Sequence, residues 1–211
     1  DWIDAFTKRQ ELKKLPQTSD GYTIKVFDDP KRLDKEITEK AKEADTALSR
    51  LIATYDWEYT DKAKKVFGMY SEVQIGTWHK PWNRELQSGL SSKEKRRIRD
   101  LAWAEQPQTI NEVGSTFTIQ GFDLNYAGVI LGPSVKYRNG KIIFDSKESH
   151  NHKAIQNRTL SDGTKQKFGE LLLQHEVRVL MTRGVNGMYI YACDDELREA
   201  LKKAAERGEK K

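Results

Sequence analysis

The apolar positions of this chain follow two periods, and the two alternate along it. Tyr22-Thr23-Ile24-Lys25-Val26-Phe27 alternates apolar with polar and favours β structure, which predicts a strand. Asp28-Asp29-Pro30 then opens a helix, with Asp29 as N-cap and Pro30 in the first helical position. Leu33, Ile37, Ala41, Ala44 and Leu48 continue at helical spacing, with charges between them. The short apolar run Arg50 to Thr54 predicts a buried strand that empties into Tyr55-Asp56-Trp57-Glu58-Tyr59. A strand, a helix and a strand of these lengths make a βαβ unit and point to a parallel sheet.

Residues 60–108 are less regular and read as an insertion on the main sheet. Tyr70 to Trp78 alternates as a hairpin arm would, Pro81-Trp82-Asn83 is a turn, and Lys93 to Arg99 is a basic helical stretch. Order returns with Val113-Gly114, a turn at Ser115 and a strand from Gly128 to Leu131, stopped by Gly132-Pro133. Asn139-Gly140 between two β-rich runs is the strongest hairpin signal in the chain. Residues 147–163 read as polar loop. Lys165 to Glu176 predicts a helix with Phe168, Leu171, Leu172 and His175 on one face. Val177 to Met181 and Met188 to Cys193 predict strands, and Asp194 or Asp195 caps a last helix that turns Leu197, Ala200, Leu201 and Ala204 inward. This alternation predicts an α/β fold: a doubly wound, largely parallel sheet with helices on both faces.

Composition narrows the picture only a little. Of 211 residues, 33% are charged and 36% hydrophobic, polar for a globular chain but with the apolar residues clustered. A net charge of +5 favours polyanionic partners, DNA or RNA among them. A single cysteine, Cys193, rules out an intrachain disulfide and fits a reducing cytoplasm. No segment approaches the ~18 apolar residues of a membrane helix, so no membrane partner is expected. The chain opens on Asp1 and is expected to be a piece of something longer.

Two stretches carry candidate chemistry. The first is Ser115-Thr116-Phe117-Thr118-Ile119-Gln120-Gly121-Phe122-Asp123. Ser115 is a natural cap, the turn beyond it could aim N–H groups at a phosphate, Gly121 permits a tight turn, and Asp123 could accept hydrogen bonds from a ribose hydroxyl. The plain alternative is a capped turn before a buried strand. The second is Val179-Leu180-Met181-Thr182-Arg183-Gly184, read as a strand ending at Arg183. At the carboxyl edge of a parallel sheet such an Arg could meet a transferring phosphoryl group; the alternative is a surface Arg paired with a carboxylate.

The order and spacing of these stretches resemble motifs V and VI of superfamily 1 helicases. More closely, the text from Glu105 to Ile130 together with Leu180 to Ala192 resembles the Schlafen group 3-like DNA/RNA helicase domain, and Arg50-Leu51-Ile52-Ala53 with Trp57 and the Pro81-Trp82-Asn83 turn fit as well. The resemblance runs from about Ile24 to Leu201. It implies the C-terminal RecA-like half of an ATP-dependent helicase: residues 22–206 as that domain, 1–21 as a leading helix and linker, and 207–211 as a frayed tail. Gln120, Gly121, Asp123 and the catalytic Arg183 would face ATP. Ser115, Thr116 and Thr182 would lie near nucleic acid or the coupling path, and Tyr55 and Trp57 would line the cleft. Many members carry Glu where Asp123 stands, and the shorter arm weakens the ribose contact.

The chain has no G-x-x-x-x-G-K-S/T. Asn139-Gly140-Lys141 is followed by Ile142 and reads as a hairpin turn. The run from Tyr189 to Glu196 superficially matches a Walker B strand, but strand followed by helix cap is the better reading. Phosphate grip and magnesium would therefore belong to an N-terminal RecA-like partner domain, and this chain alone would hydrolyse no ATP. The four histidines show no ligand spacing, and no metal site is expected. The rival reading is a non-catalytic nucleic-acid-binding or interaction module built on the same fold, marked by the basic stretch at 93–99.

Overall fold

The computed structural model describes residues 2–16, 21–43, 48–59, 72–156, 158–159 and 161–206. The expected Tyr70 start of the hairpin arm, Ala44 and the tail 207–211 lie outside them. In chain order the first half holds α1 (Trp2–Thr7), β1 (Thr23–Phe27), α2 (Pro30–Lys40), β2 (Ser49–Ala53), the hairpin β3 (Glu72–Ile75) and β4 (Trp78–Pro81), α3 (Glu85–Ser88) and α4 (Ser92–Ile98). Two 3-10 turns over 103–111 lead to β5 (Val113–Gly114), β6 (Leu124–Leu131) and the hairpin β7 (Val135–Arg138) and β8 (Lys141–Phe144). After α5 (His152–Ile155) and the two-residue strands β9 (Arg158–Thr159) and β10 (Lys165–Gln166) come α6 (Gly169–Met181), β11 (Gly184–Ala192) and α7 (Asp195–Glu206).

Five strands form one sheet in the order β1-β11-β6-β2-β5, every neighbouring pair parallel. The three interior places go to β11, β6 and β2, whose apolar runs are buried on both faces, as interior parallel strands require. β1 carries Lys25, is only half-buried and takes an edge. The pleat divides the core by alternation. Ile52, Val129, Leu131, Met188 and Ile190 point to one face, where they meet Phe6, Leu173, Val177, Leu180, Leu197 and Leu201 of α1, α6 and α7. Leu51, Ala53, Ile130, Tyr189 and Tyr191 point to the other, under Leu33 and Ile37 of α2 and Val73, Trp78 and Trp82. Each such aliphatic side chain contributes about 1.5–3 kcal/mol when fully buried. Gly128 is where α2 seats on the sheet: a Cβ there would stand 2.7 Å from Ile37 Cγ1. The architecture is α/β with helices on both faces, consistent with a RecA-like fold.

Asp29 caps α2 as expected, its side chain accepting from Lys31 N, with Pro30 at the first turn. The helix stops at Lys40, however, and Leu48 belongs to the entry of β2, where its N–H donates to Asn125 Oδ1 at 2.7 Å. A larger correction concerns α6. Val177 to Met181, expected as a strand, closes this helix instead. No Gly or Pro interrupts the sequence between Glu170 and Arg183, so nothing ends the helix earlier. Its buried face is accordingly Leu173, Glu176, Val177, Leu180 and Met181, while Leu171 is 46% exposed and His175 lies on the outer side.

Candidate functional site

Arg183 follows α6 and precedes β11, so it stands at the amino edge of the sheet and not at the carboxyl edge expected for it. The reason is the helix just described: the apolar run before Arg183 is helical, and the strand begins after it. Thr182 is the C-cap, exposed, its hydroxyl donating to Arg178 O and Val179 O. Arg183 Nε donates to Val179 O at 3.1 Å, a cation on the orphan carbonyls of a helix end. Asp123 immediately precedes β6, and Leu124 N donates to Arg183 O at 2.8 Å, which brings the two side chains together. Arg183 Nη1 lies 3.4 Å from Asp123 Oδ1. Gln120 and Gly121 are exposed on the approach to the same edge, with Gly121 at φ +73°. Of these four residues the fold joins Asp123 and Arg183, with Gln120 and Gly121 on the segment that leads to them, and the edge is not the one expected for Arg183.

The stretch Ser115–Asp123 joins both edges. Ser115 leaves the carboxyl end of β5 and Asp123 enters the amino end of β6, with Ile119 buried between them as an anchor in the core. Ser115 is fully buried: its hydroxyl donates to Asn83 Oδ1 at 2.8 Å and accepts from Phe117 N. Its capping role therefore holds, but its side chain is not offered outward. Thr116 is half-buried, and Phe117 is 59% exposed.

At the carboxyl edge, Tyr55 follows β2 and lines a cavity of about 540 Å³ with Asn83, Phe117, His150 and His152. Tyr55 packs on Phe117 and on Trp82 with ring centres 5.3 Å away in each case. Trp57 is not among the residues lining this cavity; it braces Trp82 edge-on and donates from Nε1 to Gln74 O. Beneath Tyr55 lies a set of carboxylates that sequence reasoning missed. Asp56 Oδ2 accepts from Thr54 Oγ1 and Ser134 N, and Thr54 Oγ1 accepts from Gly132 N, so β2 fixes the end of β6. Glu176 of α6 accepts the Tyr55 N–H at 2.7 Å. Burial pushes the Asp56 carboxyl up; burial and then the neighbouring Asp56 charge push Glu176 up to about 8. No local pattern flags these residues, because their partners lie far along the chain.

A profile of the Schlafen group 3, DNA/RNA helicase domain, matches residues 1–194. The chain belongs to this family. An uncharacterized protein of Saccharomyces cerevisiae is 34% identical over 188 residues, which cover 86% of this chain. The chain spans 37% of the length of that relative. No solved structure matches it significantly.

Within this helicase-domain fold the remaining sequence candidates take structural places. Asp194 caps α7, accepting from Leu197 N and forming a two-pronged pair with Arg138, so the Walker B-like run is a strand and a helix cap. Burial raises the Cys193 thiol to about 12, far from a thiolate nucleophile at neutral pH. Among the described residues no group of three or more His, Cys, Asp or Glu could hold a metal, and no helix is long and apolar enough to cross a membrane. Arg50 is buried with three neutral oxygens as acceptors, on Thr109, Ser49 and Gln106, and ties the sheet to the 3-10 turns. Burial lowers its pKa to about 10, which still leaves it a cation.

Proposed function

We propose that this chain supplies the second RecA-like half of an ATP-dependent DNA/RNA helicase or translocase. ATP would be gripped between its amino edge and a partner half that carries the phosphate loop and the magnesium. One observation carries the reading: Arg183 and Asp123 are held together on the same edge as Gln120 and Gly121, within a helicase-family domain. The pair suits a nucleotide. At 3.4 Å, with the Asp123 side chain 63% exposed, it is a loose surface ion pair of the kind worth about 0.2–1 kcal/mol. A phosphate bound to Arg183 in a charge-assisted hydrogen bond readily replaces it. The Nε bond to α6 keeps the guanidinium aimed, and Asp123, once released, can accept from ribose hydroxyls. Nothing lies within 4 Å of where a Gly121 Cβ would stand, so the floor of the edge is open.

The test is strand-stimulated ATP hydrolysis by the longer protein. Arg183→Ala should lower turnover by roughly a thousandfold, the low end for an arginine that meets transferring phosphate, while ATP affinity changes far less. The chain alone should show no turnover. Unchanged hydrolysis in Arg183→Ala, or turnover by the chain alone that vanishes in this variant, would overturn the proposal. A second reading has its own support, since Arg183 already has protein partners on both sides. On it the chain is a nucleic-acid-binding module without a motor, and the longer protein would hydrolyse no ATP.

A further inference from the structure

The flank of α7 forms one side of a cavity of about 460 Å³, with residues 12–14 and the strand β7 completing it. Its floor is Leu12, Tyr137, Ala200 and Ala204. Leu197 and Leu201 take the core-facing positions of α7, while Ala200 and Ala204, one helical turn apart, are too small to fill the space beside Tyr137. The segment that walls the cavity is pinned at three points. Ile142 N donates to Gln10 O at 2.9 Å, Trp2 Nε1 to Lys13 O at 2.9 Å, and Leu15 N to Ala204 O at 3.2 Å. The hollow is therefore built into the fold.

Three lysines stand on its rim. Lys13, Lys14 and Lys203 are exposed, and none of their side chains has an ion pair or hydrogen bond among the described residues. The neighbouring cations are engaged: Arg138 by Asp194 and Glu196, Arg198 by Asp195, and Lys202 by Glu199 at 3.0 Å. Glu196 and Glu199 also line the cavity, but their partners Arg138 and Lys202 do not, so their charge is answered from outside it. What remains is an apolar centre within a rim of unpaired positive charge. An apolar centre with a polar rim is the anatomy of a protein interface.

We propose that this cavity receives an acidic segment of a partner protein, with one apolar side chain seated on Leu12, Tyr137, Ala200 and Ala204 and the carboxylates beside it paired with Lys13, Lys14 and Lys203. Burial of that side chain supplies the attraction, and the lysines select the sign of the residues around it. The charge of the whole molecule agrees: at net +5 the chain repels a second copy of itself and draws an acidic partner. Its own residues 207–211, with three cations and one acid, do not match the rim. A nucleic acid fits less well. Glu196 and Glu199 would face its phosphates, whereas a peptide brings N–H donors to them, and Tyr137 gives the bases a single ring on which to stack. The site shares no residue with the cavity beside Tyr55 or with Arg183 and Asp123, so it stands whether or not the chain is half of a motor.

The experiment is fluorescence anisotropy of the 211-residue chain with a short labelled peptide that carries one leucine among aspartates and glutamates. The peptide should bind saturably, with a Kd below about 1 mM. Alanine in place of its leucine should weaken binding about ten- to a hundredfold, the worth of one buried aliphatic side chain. Lys13→Gln, Lys14→Gln and Lys203→Gln together should weaken it about tenfold and remove most of its dependence on salt. Ala200→Phe, which fills the floor, should reproduce the loss seen with the leucine-free peptide. The lysines are exposed, so the thermal midpoint of the triple variant should match the parent. The peptide change leaves the protein untouched, so that comparison decides even where Ala200→Phe fails to fold. A Kd above about 1 mM, equal affinity for the leucine-free peptide, or parental affinity in the triple variant would overturn the proposal. So would equally tight binding of a labelled oligo(U) of matching charge, which would make the rim a general polyanion surface. Binding shown by the chain and lost in the longer protein would overturn it too, since the cavity would then be filled from within the same polypeptide.

Discussion

At the amino edge of the sheet Arg183 and Asp123 meet loosely, whereas Asp56 and Glu176 at the carboxyl edge, and Glu112 at the start of β5, are buried and each accepts hydrogen bonds from the protein itself. The contrast separates two uses of charge. Buried carboxyl groups carry a large desolvation penalty when charged and stay where hydrogen bonds or a retained proton offset it, so they act as architecture. They hold the strand ends, the turn at Asn83 and Arg84, where both residues have positive φ, and the Tyr55 backbone in place. The exposed pair contributes little to stability and is free to change partners. A parallel sheet commonly binds ligands beyond its carboxyl ends, and here that edge carries the cavity beside Tyr55. The amino edge carries the adaptable residues, as half of a site between two domains would.

The contrast breaks most directly at Glu112. Glu112→Ala strands three N–H donors inside the protein and should cost about 3–5 kcal/mol in urea unfolding. Glu112→Gln keeps an acceptor and should lose less than half of that. A loss below about 1 kcal/mol in the alanine variant would mean that the Arg84, Leu86 and Trp103 N–H groups are not fixed in this way. Glu176 gives the next largest effect, through pH. Its pKa rises from 4.5 to about 8 on folding. A raised carboxyl pKa means that the native state keeps a proton which the unfolded chain releases. The stability held below the unfolded value is therefore lost as pH climbs through the folded one, between about 4.5 and 8. Glu176→Gln keeps the acceptor for Tyr55 N and removes the titration. It should be more stable than the parent by roughly 4 kcal/mol at pH 8 and nearly equal to it at pH 4.5. Parallel pH curves for the two proteins would show that Glu176 is not the group responsible.

How much of this was legible in the sequence follows the same division. Asp29-Pro30, Asn139-Gly140 and the apolar runs of β2, β6 and β11 are short-range signals, and they fixed the class and most elements. Arg183 was misplaced because a short run such as Val177 to Met181, apolar except for Arg178, fits a strand or the last turn of a helix equally well. Only the packing of Leu173, Val177 and Leu180 against the sheet decides between them. The gathering of Gln120, Gly121, Asp123 and Arg183 came from motif resemblance, not from periodicity. The carboxyl-edge carboxylates were invisible, since Glu176 meets Tyr55 across 121 positions and Ser134 meets Asp56 across 78. Asn83 gave one faint hint, as an Asn after Pro-Trp in a turn, the residue type that tolerates positive φ.

The smallest expected effect is also the sharpest test of the amino edge. If Arg183 and Asp123 were architecture, removing either would destabilise the chain as Glu112→Ala does. Arg183→Ala gives up one bond to the end of α6 and a loose ion pair, and should cost about 1 kcal/mol. Asp123→Asn gives up only the ion pair. It should shift stability by less than about 0.5 kcal/mol in urea titrations, and raised salt should erase even that by screening the pair. A loss near 2 kcal/mol for Asp123→Asn would show the carboxylate to be structural and would remove the reason for assigning it to a ligand. A near-zero shift, together with a measurable rise in the KM for ATP of the longer protein, would leave ligand contact as the use of a charge that the fold does not need.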